Sequence, residues 1–428
     1  MHKKVLILTY GTRGDVQPYV ALGAGLKARG FDVTLATSER FQDFVESHGL
    51  HFGFIDDELL AMLDTQTGRA MIENTRTVFH ILGLMIKMAK KAGPLTRKQL
   101  DDAWQVADAT RPDIILFHPK CFGGPAYAEK LGIPAVLAMV IPMLVPTSER
   151  PCVGFPSWPL GPGYRRGTFH FVNQMMAVSA GKFVNQWRKA HGMKRHKRYR
   201  VYRDAHGHTL PIWHGISPSL LSRPHDWPGE ASMDGYWFLD DQRDWQPDPE
   251  LQAFLDAGAA PLYIGFGSMA GKHPERLGRA VEEALEQTGL RAVVASGWGG
   301  IRLSKGNPRI HSIQQAPHDR LFPLMKAVVH HGGAGTTAAA LRAGKPSLVV
   351  PFFGDQPFWG QLLYEKGLAV QPLTQRKVNA TQLAQRLTEL ADSATLQQNC
   401  RDVAARIAAE SGVESCANRL EFILNTAR

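Results

Sequence analysis

The chain opens on the hydrophobic signature of a buried strand. Val5 to Thr9 is an apolar run closed by a glycine turn at Gly11 to Gly14. From Pro18 to Arg29 the apolar positions Val20, Leu22 and Leu26 recur at helical spacing, Gly30 stops them, and a second apolar run spans Phe31 to Ala36. Strand, glycine turn, helix and strand in this order predict a βαβ unit. Ile114 to Phe117 and Ala135 to Val140 have no polar face, which predicts further parallel strands covered on both sides.

The same order restarts in the second half. Leu262 to Phe266 reads as a strand, Gly267 to Met269 as a turn and Pro274 to Thr288 as an amphipathic helix. Arg291 to Ser296, Ala327 to His330 and Ser347 to Val350 supply later strands. The pattern predicts an α/β protein of two Rossmann-like, doubly wound parallel-sheet domains. The expected division is 1–230 for the first domain, 231–260 for a linker rich in Pro, Trp, Asp and Gly, and 261–410 for the second. The last stretch, 411–428, is expected as a terminal helix crossing back to the first domain. Two segments, Asp56 to Thr110 and Pro142 to Trp213, break the rhythm. In the first, Val78, Phe79, Ile81, Leu82, Leu84, Met85 and Met88 form an apolar stripe, which serves either as core or as the wall of an apolar cleft.

Composition narrows the class. A chain of 428 residues with 44% hydrophobic and 21% charged residues has the make-up of a folded two-domain protein rather than a disordered one. Lys and Arg number 49 against 39 Asp and Glu, a net charge of +10. The excess is concentrated: Arg188, Lys189, Lys194, Arg195, Lys197, Arg198, Arg200 and Arg203 fall in one acid-free stretch. That stretch reads as a solvated face or as a patch for anionic lipid head groups, not as a nucleic-acid surface. The four cysteines show neither a C-x-x-C pair nor metal-ligand spacing, as in a reducing, cytoplasmic setting. The N-terminal apolar run is too short for a signal peptide, and the longest apolar stretch, Leu131 to Pro146, is broken by Pro134 and Pro142. No transmembrane helix is expected, which leaves a cytoplasmic protein or one peripheral to the inner membrane face.

The strongest chemical signal is Val328-Val-His-His-Gly-Gly-Ala-Gly-Thr-Thr337. A strand ends in two histidines, three glycines follow, and two hydroxyl residues open a helix. Glycines let a ligand approach the backbone, helix-start N–H groups point outward, and an imidazole and hydroxyls add hydrogen bonds, so the turn suits a diphosphate. Twenty residues on, Asp355 and Gln356 follow another strand, where a carboxylate and an amide suit sugar hydroxyls, although Asp before a helix is also a common cap.

The run His330 to Pro357 (HHGGAGTTAAALRAGKPSLVVPFFGDQP) resembles the donor-binding signature of the large inverting glycosyltransferase superfamily of GT-B fold, nearest to its sterol glucosyltransferase-like and glycopeptide-antibiotic members. Gly11 to Pro18 (GTRGDVQP), Ile264 to Met269, Ser296 to Gly300 and Ala316 to Asp319 extend the likeness in order over nearly the whole chain. The resemblance implies two lobes facing a central cleft, the first binding the acceptor and the second a nucleotide sugar, UDP-linked before dTDP-linked. It implies that His331 contacts the pyrophosphate with Ser268, Gly333, Gly335, Thr336 and Thr337, that Asp355 and Gln356 hold the sugar, and that Trp298 lies near the nucleotide. Plant relatives stack the base on a Trp where this chain has Gln315, next to Ala316, and hold the ribose with a Glu where it has Ala339.

Transfer to an alcohol needs a base at the acceptor oxygen and stabilisation of the leaving diphosphate. Many members of the superfamily use a His on the first glycine turn, oriented by an Asp from a later strand. Here Asp15 takes the His position and His118 the Asp position, so Asp15 is expected as the base, directly or through His118; Asp15 also suits a helix cap. No redox cofactor is called for, and no Asp-x-Asp follows a strand, so a metal-independent reaction with inversion is expected, moving a hexose to a lipophilic sterol, lipid or natural product. Trp158, Phe169, Phe171, Met175 and Met176 point to that apolar acceptor. The rivals are a nucleotide-sugar epimerase of the same fold and a catalytically silent lipid or nucleotide-sugar binder; a dinucleotide oxidoreductase fails because neither glycine turn is G-x-G-x-x-G.

Overall fold

A computed structural model describes residues 3–64, 78–240, 245–267, 274–296, 301–304 and 306–426, the side chains of 62–64 and 78–92 excepted. Backbone contacts divide the chain into two units, Met1–Leu239 with Glu410–Arg428, and Asp240–Ala409.

The first unit is built on a seven-stranded sheet in the order β3-β2-β1-β4-β5-β6-β7. The strands are β1 (Lys4–Leu8), β2 (Asp32–Ser38), β3 (His51–Ile55), β4 (Ile114–Phe117), β5 (Ala135–Met139), β6 (Ile212–His214) and β7 (Ala231–Met233), and each pairs in parallel with its neighbours. β4 and β5 are buried at every position, because helices cover both faces of the sheet. The second unit repeats the plan with five parallel strands in the order β10-β9-β8-β11-β12: β8 (Leu262–Gly265), β9 (Ala292–Ala295), β10 (Ile310–Ile313), β11 (Val328–His330) and β12 (Ser347–Val349). In each sheet the chain lays down three strands in one direction, returns to the middle and continues the other way. The breaks fall between β1 and β4 and between β8 and β11, and open α/β sheets bind ligands at the carboxyl ends of the strands flanking such a break.

The structure corrects several expectations. The first helix is Arg13–Ala28, five residues longer at its start than the apolar pattern indicates, and Pro18 lies inside it. The first turn carries no apolar residue before Val16, so periodicity could not mark it. Residues 231–239 are not linker. They hold β7 and Trp237, which is 5% exposed in the same core as Tyr19, Leu22 and Trp213. A three-residue strand is too short to leave a period, and the Pro- and Gly-rich composition around it concealed the core. β3, β6 and β10 were likewise not anticipated.

The terminal helix Gly412–Thr426 belongs to the first unit. It crosses Arg13–Ala28 so closely that a Cβ on Gly25 would stand 2.2 Å from Val413 Cγ1. Arg29 adds ion pairs to Glu414 and Glu421, and Cys416, Leu420 and Leu424 complete the core of the sheet. All four cysteines are free and buried. No helix among the described residues is long and apolar enough to cross a membrane.

Candidate functional site

At the first break, the turn after β1 delivers Asp15 and the turn after β4 delivers His118. Asp15 is the third residue of its helix and accepts the N–H of the cap residue Thr12 at 2.8 Å and its hydroxyl at 3.1 Å, both on Oδ2. The other oxygen, Oδ1, faces His118 Nε2 at 3.5 Å and the ammonium of Lys120 at 2.8 Å. The capping role and the meeting with His118 therefore coexist.

Lys120 N–H donates to His118 Nδ1 at 3.0 Å, so Nδ1 is an acceptor and the neutral ring carries its proton on Nε2, toward Asp15. Tyr19 packs edge-on against the imidazole at 5.6 Å between ring centres. Burial drives the His118 pKa down to about 3, against the pull of Asp15. Burial works to raise the Asp15 pKa, but Lys120, His118 and the Thr12 amide outweigh it and hold the carboxyl below its usual range. At neutral pH the site is a carboxylate beside a neutral imidazole. Lys120 escaped the sequence reading because its contact depends on β1 lying next to β4; its one local signal is its place two residues beyond His118.

At the second break, the buried strand β11 ends in His330, and Gly332 turns the chain at φ +92° into the helix Ala334–Arg342. Only glycine fits there, since a Cβ would meet Val349 Cγ1 at 2.6 Å. His331 lies between two further glycines: a Cβ on Gly267 would come 3.3 Å from its Cε1, and one on Gly333 would come 2.6 Å from its Nε2. Gly267 follows β8, so the break itself brings these residues together. Burial lowers the His331 pKa to about 4 and that of His330, beside His331 and His318, to about 3. His330 Nδ1 accepts the Gly332 N–H at 3.1 Å and fixes the turn. His331 Nδ1, His330 Nε2 and Thr337 Oγ1 are buried and find no hydrogen-bond partner among the described residues. The first-turn N–H groups of the helix have no partner within it. A Cβ on Gly335 would meet no atom of another described residue within 4 Å, its own helix turn aside. Neutral donors, a helix N-terminus and an unobstructed glycine suit an anion.

Asp355 stands at the cap of Gln356–Glu365 and accepts Trp359 Nε1–H at 2.7 Å. Gln356 is 4% exposed and its Oε1 accepts the Phe352 and Phe353 N–H groups at 2.8 and 3.2 Å, so its amide oxygen serves its own loop. Gln315 is exposed on the loop after β10, and Ala316 is half-buried. Ser268 and Trp298 lie outside the described residues, as do the side chains of the stripe from Val78 to Met88. Among the described residues no cluster of three or more His, Cys, Asp or Glu could hold a metal ion.

In the basic stretch, Arg188 is not part of an open patch. It is 2% exposed and paired in a fork with Glu129 at 2.6 and 2.9 Å; a guanidinium at the end of a helix with Trp187 turned inward is drawn into the core, where it requires that partner. Lys189, Lys194, Arg195, Lys197 and Arg198 are exposed.

Comparison with known proteins matches residues 5–146 to the glycosyltransferase family 28 N-terminal domain and residues 302–423 to the erythromycin biosynthesis protein CIII-like C-terminal domain. Both matches are to domains of glycosyltransferase-type proteins, and the solved structures below give the chain the two-domain GT-B fold. It is 34% identical over 86% of its length to a sterol 3-beta-glucosyltransferase of Arabidopsis thaliana, and 33% identical over 99% to one of Aspergillus clavatus. It spans 58% of the first relative and 30% of the second. Among solved structures, the calicheamicin glycosyltransferase CalG4 superposes with a TM-score of 0.71 at 19% identity, covering 99% of this chain and 98% of that one. The Streptomyces sp. SF2575 glycosyltransferase SsfS6, complexed with thymidine diphosphate, gives 0.61 at 19% identity, covering 98% and 99%. In GT-B terms, the two sheet breaks sit one in each Rossmann-like domain.

Proposed function

We propose that this GT-B protein transfers a hexose, glucose first, from a nucleoside diphosphate sugar to a hydroxyl of a sterol or another lipophilic acceptor, with inversion. The observation that carries the reading is His331, held between Gly267 and Gly333 at the start of a helix, with a buried ring nitrogen left unpartnered among the described residues. The names borne by the relatives, sterol 3-beta-glucosyltransferase, support the acceptor class. In this reading His331, Gly333, Gly335, Thr336 and Thr337 hold the diphosphate, with Ser268 beside them. Asp355 takes sugar hydroxyls on its carboxylate, and Gln356 contributes its amide NH2 rather than its engaged oxygen. Gln315, Ala316 and Trp298 flank the nucleoside, UDP before dTDP.

Asp15 removes the acceptor proton. As the hydroxyl oxygen bonds to the anomeric carbon, the bond to the diphosphate breaks, and the leaving oxygen takes the electron pair into the field of the helix N-terminus and His331. His118, with its proton already on Nε2, orients and steadies the Asp15 carboxylate instead of relaying a proton.

Incubation with UDP-glucose and a sterol panel, followed by mass spectrometry, tests this. A glucosylated sterol and acceptor-dependent UDP release are expected; an epimerised nucleotide sugar formed without acceptor would overturn it.

The large apolar side chains Trp158, Leu160, Phe171 and Val178 are exposed on and just before the helix Gly161–Ala190, in line with a lipophilic acceptor, whereas Phe169 is core. We infer that Lys189, Lys194, Arg195, Lys197 and Arg198 hold the protein to anionic lipid, each contributing on the order of 1 kcal/mol at low salt. Co-sedimentation with phosphatidylserine vesicles, lost on replacing the five by glutamine and absent with phosphatidylcholine alone, is the expected result.

A further inference from the structure

Partners among the described residues engage both oxygens of the Asp15 carboxylate, which is unusual for a group assigned to take a proton. An ionised carboxylate offers roughly four lone-pair positions. On Oδ2, two are filled by the Thr12 amide and hydroxyl; on Oδ1, one is filled by the Lys120 ammonium and the last faces His118 Nε2 at 3.5 Å. These partners differ in how readily they can leave. The Thr12 amide is fixed by the helix start. The imidazole has a 7% exposed side chain, braced by Tyr19 and by the Lys120 N–H. The Lys120 side chain is 51% exposed on a flexible four-carbon stem.

We propose that Lys120 keeps Asp15 masked, and that the acceptor hydroxyl must displace its ammonium from Oδ1 before proton transfer. The proposal rests on the reading of Asp15 as base. One residue then governs both members of the pair: its backbone N–H fixes the His118 tautomer and so denies the ring a role as proton acceptor, while its side chain occupies the position on Oδ1 that can be opened. In the transfer step the hydroxyl proton goes to Oδ1, the oxygen forms its bond to the anomeric carbon, and the diphosphate departs with the electrons of the broken bond. The other titratable groups close to Asp15 are the Tyr19 hydroxyl and the Cys121 thiol, both kept protonated by burial. Lys120 is therefore the permanent charge paired with the carboxylate among the described residues.

The test compares Lys120→Met and Lys120→Arg with the parent protein in two measurements. The first is the pH profile of kcat/KM with UDP-glucose and a sterol; the second is a carbon-13 titration of Asp15, its signal assigned by loss in Asp15→Asn. In Lys120→Met, the Asp15 titration and the acid limb of the profile are expected to move up by about one pH unit or more. The neutral-pH kcat/KM for the acceptor should rise, because no ammonium has to be displaced. Lys120→Arg should restore the parental limb. Should Met not be tolerated, Lys120→Gln repeats the test with a neutral polar side chain. An Asp15 titration unmoved by loss of the charge, or a neutral-pH kcat/KM that falls instead of rising, overturns the proposal. Unimpaired turnover of Asp15→Asn would instead overturn the base reading, and that result is obtained without any Lys120 variant.

Discussion

At the β1–β4 break both oxygens of a carboxylate and both nitrogens of an imidazole have partners within the protein; at the β8–β11 break two imidazoles and a threonine hydroxyl are buried with nitrogen or oxygen atoms that find none among the described residues. The two sheets share a strand plan, so the difference comes from the residues placed at the turns. A satisfied, charged cluster is stable by itself and must surrender a partner before it can act. Unsatisfied neutral donors carry a desolvation cost that an anionic ligand removes on binding. The first arrangement suits a reacting group and the second a binding group.

That contrast can be broken most directly with Asp15→Asn. It should lower kcat by about 10²–10⁴ and leave UDP affinity by titration calorimetry unchanged; a matching loss of UDP affinity would erase the distinction. His331→Ala should act in the opposite sense, removing most UDP binding and costing about 10²–10³ in rate, with the Asp15 titration unmoved. Gly335→Ala sharpens the point, because its Cβ meets no atom of another described residue. Tm should hold or rise slightly, while UDP affinity falls about tenfold as the methyl group enters the ligand's space. A variant unchanged in both would show that no anion approaches this turn.

Two smaller effects concern protons. Burial disfavours the charge of His331 and pushes its pKa down to about 4, and a bound diphosphate reverses that preference. UDP binding at pH 6 should therefore take up protons, measurable as a buffer-dependent binding enthalpy. The depressed pKa values of His118, His330 and His331 also give a stability sign. The unfolded chain binds protons below about pH 6.5, where these folded histidines do not, so Tm should fall as the pH drops from there toward 4. Smallest of all, EDTA should leave turnover unchanged.

The legible parts were those written in consecutive residues. The turn carrying His331, Gly333, Gly335 and Thr337 could be read because strand, turn and helix start follow one another along the chain, and the two Rossmann-like sheets showed in two repeats of strand, glycine turn and helix. Lys120 could not be named, because its role depends on two strands separated by more than a hundred residues lying side by side. Gln356 was assigned to a sugar on position alone; the N–H groups of Phe352 and Phe353 that claim its oxygen are set by how the loop closes. Arg188 looked like its basic neighbours until Glu129, on a different helix, was found opposite it. The three-residue strands β6 and β7 are held by parallel pairing to a preformed neighbour, and their sequence carries too few positions to announce that.

The placement of Gly412–Thr426 against Arg13–Ala28 bears on how the protein is made. Synthesis proceeds from the N-terminus, yet the core shared with Val5 and Ile7 lacks Cys416, Leu420 and Leu424 until Gly412–Thr426 has emerged. The unit whose sheet precedes Asp240–Ala409 is thus completed only after that stretch has had time to collapse on its own. A nascent chain stalled before residue 412 would carry a bare apolar groove along the helix Arg13–Ala28, the sort of surface a chaperone holds until its partner helix emerges.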